Sequence, residues 1–139
     1  MMINCIILTH ADLGSGLKNA LEGIMGKQES FSVISNTGLG KEGMILALRK
    51  EIEQNHTAGG MVIFVDMIGS SCWYTAQRVV SSLRSDPGTK PENRPQIAIV
   101  TGVNLPMLVK FFSSRESLSF DRLVPQVQKE GEKGIVTES

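Results

Sequence analysis

Residues 3–16 read Ile3-Asn4-Cys5-Ile6-Ile7-Leu8-Thr9-His10-Ala11-Asp12-Leu13-Gly14-Ser15-Gly16. Almost continuous apolar character ends at Thr9, and polarity switches at His10. A short apolar run bounded by a glycine-containing turn reads as a strand buried on both faces, the kind a parallel sheet uses. In an open α/β sheet, ligands bind outside the carboxyl ends of the strands, so His10 stands where chemistry takes place.

The same rhythm continues along the chain. Residues 31–35, 61–66 and 96–101 read as three further strands, and two of these runs are again near-continuous in Ile, Val, Met and Phe. Between them, apolar residues recur at three- and four-residue steps, the period of a helix with one buried stripe. Leu13, Leu17, Leu21, Ile24 and Met25 mark the first helix; Ile45, Leu48 and Ile52 the second; Ala76, Val79, Val80 and Leu83 the third. Asn104-Leu105-Pro106 opens a fourth, since proline fits a first turn whose N–H has no helical partner. A fifth is expected from near Asp121 toward Gly131, with Pro125 imposing a late start or a kink. Alternating β and α units predict a doubly wound, mostly parallel sheet of four strands with helices on both faces. The proline-containing stretch 84–95 reads as an exposed loop, and residues 134–137 as a candidate for a short last strand.

The 139 residues fit one domain, with 14 Lys plus Arg against 14 Asp plus Glu. That balance leaves no electrostatic footprint for nucleic acid or an anionic membrane. No apolar stretch approaches the roughly 20 residues of a membrane span, and no secretory signal is evident, so a cytoplasmic protein is expected. Two cysteines, Cys5 in a core strand and Cys72 at a helix start, make no disulfide framework. There is no Walker-type loop, no dinucleotide fingerprint after a strand, and no His/Cys/Asp group with metal-ligand spacing, so no cofactor or metal is expected.

Three strand ends meet on one edge of such a sheet: His10-Ala11-Asp12, Asp66-Met67-Ile68-Gly69-Ser70-Ser71-Cys72, and Thr101-Gly102-Val103-Asn104-Leu105-Pro106. If the first and third strands are neighbours, Asp66 lies beside His10. A carboxylate on one ring nitrogen fixes the tautomer and leaves the other nitrogen as nucleophile or base. Gly69, Ser70 and Ser71 precede a helix whose N-terminus favours an anion. These parts describe a phosphoryl acceptor. Ordinary readings stand beside that one: His56 as a solvated turn residue, Asp12 as the N-cap of the first helix, Ser70 or Ser71 as an N-cap, Gly14 and Gly16 as sites of close helix packing, and Trp73 as packing or, if exposed, partner surface.

Three segments carry a family resemblance: Ile6-Ile7-Leu8-Thr9-His10-Ala11-Asp12-Leu13-Gly14, Val62-Ile63-Phe64-Val65-Asp66-Met67-Ile68-Gly69-Ser70-Ser71 and Val100-Thr101-Gly102-Val103-Asn104-Leu105-Pro106-Met107-Leu108. With them the sequence resembles the EIIA domain of the mannose-type bacterial phosphotransferase system over essentially its whole length. The resemblance implies a phosphotransferase whose phosphorylated histidine falls on His10, whose orienting aspartate falls on Asp66 and whose phosphoryl-contacting hydroxyl falls on Ser71. Ser70 and Gly69 complete the expected cradle, and Thr9, Met67, Thr101, Asn104, Leu105 and Pro106 are expected as site wall or partner surface. It also implies phospho-HPr as donor, an EIIB histidine as acceptor, a membrane sugar permease downstream, and a homodimer that exchanges its C-terminal strand. Two departures stand out. Gly69-Ser70-Ser71-Cys72 replaces the usual Gly-Gly-Ser/Thr-Pro, and Ala11 replaces the usual glycine after the histidine.

Two other functions compete with sugar uptake. Phosphorylation of His10 could govern binding to another protein, a regulatory module of an incomplete phosphotransferase system. Alternatively Cys72, its thiol pKa depressed at a helix N-terminus, would join His10 and Asp66 as a nucleophile–base–orienter set of a hydrolase or transferase.

Overall fold

A computed structural model describes residues 2–55 and 58–139; His56 lies outside the described residues. The strands are β1 (Asn4–Thr9), β2 (Phe31–Ser35), β3 (Met61–Val65) and β4 (Ile97–Thr101). They form one parallel sheet in the order β2-β1-β3-β4. The helices are α1 (Leu13–Met25), α2 (Gly40–Asn55), α3 (Ser71–Arg84), α4 (Leu105–Ser114) and α5 (Phe120–Lys133). This is the expected doubly wound fold.

Strand alternation divides the core in two. Cys5 and Ile7 of β1, Val62 and Phe64 of β3 and Val100 of β4 face α1, α4 and α5, where Leu21, Leu108, Phe111, Leu123 and Val127 are buried. Ile6 and Leu8 of β1, with Ile63 and Val65 of β3, face α2 and α3 and meet Met44, Leu48, Ala76 and Val79. The register Ile7↔Phe64 and Leu8↔Val65 places like faces side by side. Complete burial of each such side chain contributes about 1.5–3 kcal/mol, and a one-residue slip of β1 would turn each of them to the opposite face and break this match.

Chain order creates the site. From β1 the chain moves outward through α1 to β2, then crosses back through α2 to β3 on the other side of β1. The carboxyl ends of β1 and β3 therefore flank the topological switch point, where two crossovers leave in opposite directions and open a crevice. Close packing of α1 onto the sheet depends on Gly14. A Cβ there would come within 2.8 Å of both Thr9 Oγ1 and Val33 Cγ1.

Several local expectations change. Asp12 occupies the N-cap position of α1 but its side chain caps nothing. Thr9 does that work instead: its buried Oγ1 accepts the Gly14 N–H at 2.7 Å, which a solvent-exposed Asp12 carboxylate does not. Gly16 is exposed with open space around it, so close packing explains Gly14 alone. Helix α5 begins at Phe120, ahead of the expected start, and runs through an exposed Pro125. Only one ladder hydrogen bond is lost there, and the freed Asp121 carbonyl belongs to an exposed residue. Within 84–95 the chain forms a 3-10 turn at Pro91–Asn93. In this single chain, residues 135–139 carry no strand, and Ile135 and Val136 are exposed. Trp73 is half-buried against the α2–α3 core and stacks edge-on to Tyr74, with centroids 4.9 Å apart; it is a packing residue. Among the described residues, no helix is long and apolar enough to cross a membrane.

Candidate functional site

His10 and Asp66 follow β1 and β3 directly, and strand pairing brings them together across 56 residues of chain. Asp66 Oδ2 accepts two bonds from His10: the backbone N–H at 2.9 Å and ring Nδ1 at 2.7 Å. Its other oxygen accepts the Met67 N–H at 2.9 Å. Burial acts to raise the Asp66 pKa, but the bonds from His10 and Met67 outweigh it and hold the carboxyl below the ordinary aspartate value. The carboxylate is thus ionised at neutral pH and only accepts hydrogen bonds, so the ring proton sits on Nδ1 and the lone pair on Nε2.

Ring nitrogen Nε2 faces the start of α3. Ser71 Oγ lies 3.4 Å from Nε2. Ser71 and Cys72 begin α3, and their N–H groups have no acceptor among the described residues. Two free N–H groups and a helix dipole make a receptor for an anion beside Nε2. Gly69 turns the chain toward them with φ +81°, a conformation glycine takes without strain. The His10 side chain is 44% exposed and that of Asp66 only 11%, so the imidazole is open while the carboxylate bonded to it is sheltered.

Ser70 departs from the expected role. It is buried, its hydroxyl accepts the Trp73 N–H at 3.3 Å and donates to the Met67 carbonyl at 2.7 Å, and its own N–H goes to the same carbonyl. Ser70 is the N-cap of α3 and shapes the cradle from behind rather than lining it. Thr9 is fully buried beneath the sheet edge and cannot form partner surface. Asn104 caps α4 through the Met107 N–H and ties it to α5 through the Gly131 carbonyl. Leu105 and Pro106 line a separate shallow hollow with Lys110 and Glu130. Thr101 is half-buried at the end of β4. Met67 is 61% exposed and adjoins Ile68, which is 66% exposed.

The reading of three strand ends missed the fourth. Asn36, just past β2, accepts the Ala11 N–H on Oδ1 at 2.9 Å, and Ser35 Oγ donates to the Ala11 carbonyl at 2.8 Å. These two residues clamp the loop carrying His10. Extending the carboxyl-edge rule to β2 finds them. Asn36 also borders a cleft of about 790 Å³ between α2 and α3, lined further by Lys41, Met44, Ser71, Tyr74 and Arg78.

The clamped loop holds Ala11 at φ +49°, in the left-handed region. This supplies the physical reason a glycine suits the position. Ala11→Gly is expected to stabilise the fold by about 1 kcal/mol, the steric penalty removed exceeding the added chain entropy. Urea unfolding midpoints of the two proteins check this.

Chain spacing shows no metal-ligand group, yet folding gathers one: His10, Asp66 and Cys72 place a nitrogen, an oxygen and a sulfur within 4.8 Å of one another. Cys72 Sγ sits 3.6 Å from His10 Nδ1. The expected low thiol pKa does not occur. Burial first, then the Asp66 charge, push the thiol up to about 11, against a smaller opposing effect of a Ser71 hydrogen bond. At pH 8 on the order of one Cys72 thiol in a thousand is ionised. Alkylation by iodoacetamide is expected to be slow at that pH and to rise about tenfold per pH unit toward pH 10. Rapid labelling of Cys72 near neutrality would revive the hydrolase reading.

An oriented, half-exposed imidazole at the switch point of a doubly wound sheet, beside a free helix N-terminus, is an arrangement that can receive an anionic group. The family described as PTS system fructose IIA component, EIIA-man, matches residues 4–128. The chain belongs to that family. It is 28% identical over 137 residues to the PTS system mannose-specific EIIAB component of Escherichia coli strain K12, covering 97% of this chain and 39% of the relative. The chain thus spans about two fifths of the length of the curated relatives it matches. Its structure is similar to phosphotransferase system component EIIA from Streptococcus agalactiae, with TM-score 0.83, 25% identity, and 98% and 97% of the two chains covered. The same fold occurs in a sigma-54 interaction domain protein from Enterococcus faecalis, with TM-score 0.73, 12% identity and 96% and 93% coverage.

Proposed function

We propose that this protein is a histidine phosphocarrier of a sugar phosphotransferase system, taking a phosphoryl group onto His10 from phospho-HPr and passing it to a histidine of an EIIB domain. The carrying observation is the 2.7 Å contact of Nδ1 with Asp66, which leaves Nε2 open beside Ser71 and the first N–H groups of α3. Nε2 attacks phosphorus and forms the new N–P bond. The donor's P–N bond breaks, and its electron pair returns to the donor imidazole. Asp66 stabilises the positive charge that grows on the His10 ring, as a carboxylate does for any imidazolium. Ser71 Oγ and the α3 N–H groups receive the phosphoryl oxygens, a preorganised set of donors that requires no rearrangement during transfer.

The exposed Met67 and Ile68 beside His10 supply an apolar rim on which a protein donor can seat. The exposed Ile135 and Val136 suit the exchanged C-terminal strand of a homodimer. The deciding experiment is intact-mass analysis after mixing the protein with phosphoenolpyruvate, enzyme I and HPr. One acid-labile phosphoryl group, removed again by EIIB, supports the carrier. A phosphoryl group that EIIB cannot remove favours phosphorylation as a regulatory signal. No modification of the folded protein refutes both.

A further inference from the structure

We propose that His10, Asp66 and Cys72 form a site for a thiophilic divalent cation of the Zn²⁺ type, and that the bound cation silences the histidine. The three side chains come from three rigid places: the end of β1, the end of β3 and the first turn of α3. Their donor atoms all lie within 4.8 Å of one another, and Cys72 Sγ is 3.6 Å from His10 Nδ1. Tetrahedral zinc with Zn–S of about 2.3 Å and Zn–N of about 2.0–2.1 Å separates those two atoms by about 3.6 Å. Nδ1 and Asp66 Oδ2, at 2.7 Å, must open to about 3.4 Å. The half-exposed His10 ring has room to tilt by that amount. One nitrogen, one thiolate and one carboxylate suit a borderline-soft ion, and water would take the fourth position. Cys5 is no competitor, because it is buried on the opposite face of the sheet, against Phe111 and Leu21.

Proton balance makes the site a switch. In the free protein the ring proton is on Nδ1 and the lone pair is on Nε2. A cation that takes the Nδ1 lone pair leaves the single ring proton on Nε2, and Cys72 releases its thiol proton to solvent. A coordinating thiol is deprotonated outright by the ion. Nε2 then has no electron pair with which to attack phosphorus, so cation and phosphoryl group exclude one another. This exclusion rests on the phosphocarrier reading; the cation site does not.

Two titrations test the two parts separately. Metal-free protein is titrated with Co²⁺ and read by the intense thiolate-to-cobalt charge-transfer band. The expected result is one ion per chain, displaced by Zn²⁺, which binds nitrogen and sulfur donors more tightly than cobalt. The band should vanish in Cys72→Ala and in His10→Ala. The second variant alters a half-exposed side chain, so its loss of the band does not depend on how the buried Cys72 position tolerates change. Absence of the band from the unmodified protein, or its survival in either variant, overturns the site. In parallel, one equivalent of Zn²⁺ is expected to lower phosphorylation by phospho-HPr at least tenfold in the unmodified protein and to leave Cys72→Ala unaffected. Equal inhibition of both overturns the exclusion. Protein that shows the band yet accepts no phosphoryl group when metal-free refutes the phosphocarrier reading and leaves the cation site standing.

Discussion

His10→Ala is expected to take up no phosphoryl group from phospho-HPr while remaining folded. Among the described residues the variant removes the one imidazole, so the expected loss is total rather than a graded decrease in rate. Folding survives for two reasons. The side chain is 44% exposed, and the backbone N–H of residue 10 keeps its bond to Asp66. Intact-mass analysis with enzyme I and HPr, beside circular dichroism of the variant, checks both parts. A phosphoryl group retained in His10→Ala would place the acceptor elsewhere. It would also remove the reason for the arrangement of Asp66, Ser71 and the start of α3 around Nε2.

Asp66→Asn is expected to keep HPr binding and slow transfer by up to about 10⁴-fold, the scale seen when an orienting carboxylate becomes an amide. The amide can turn its NH₂ group toward Nδ1. That would hold the ring proton on Nε2 and take away the nucleophilic lone pair. Even with the carbonyl turned inward, the negative charge that stabilises the imidazolium is gone. Single-turnover transfer from phospho-HPr measures the effect, and a rate equal to that of the unmodified protein would end the assigned role. Stability should follow the same residue. The folded Asp66 pKa lies below its ordinary value, so its contribution is fully present above about pH 4 and is lost as pH falls through the lower folded value. The urea midpoints of the unmodified protein and Asp66→Asn should therefore converge on acidification below pH 4, and a constant gap would contradict the linkage.

Much of the architecture was legible because its determinants are local. The apolar run ending at Thr9 and that at Met61–Val65 are buried throughout, whereas Ile97–Thr101, at the sheet edge, buries only Ile97 and Val100; short apolar runs bounded by turns mark all three as strands. The three- and four-residue spacing of Leu48 and Ile52, or of Ala76, Val79 and Val80, marks the buried stripe of a helix without reference to its partner. Capping was less legible. Asp12 and Thr9 are both plausible caps by residue type, and the choice between them depends on how closely α1 approaches the sheet at Gly14. Ser70 and Ser71 are likewise equivalent in sequence. Only the φ and ψ of the turn send one hydroxyl inward to Trp73 and Met67 and leave the other beside Nε2.

By itself the sequence determined the strands, the helices, the two-faced sheet and the position of His10 at a strand end. All of these follow from patterns shorter than about twenty residues, where hydrophobic period and turn chemistry act within one segment. Tertiary structure alone decided that β3 lies beside β1, that Asp66 grips His10 from 56 residues away, that Asn36 clamps the loop, and that Cys72 lies under the ring. These meetings depend on strand order and crossover direction, which are chosen by the packing of the whole chain. No pattern within a single segment carries that choice, because each strand presents the same apolar faces to whichever neighbour the fold supplies.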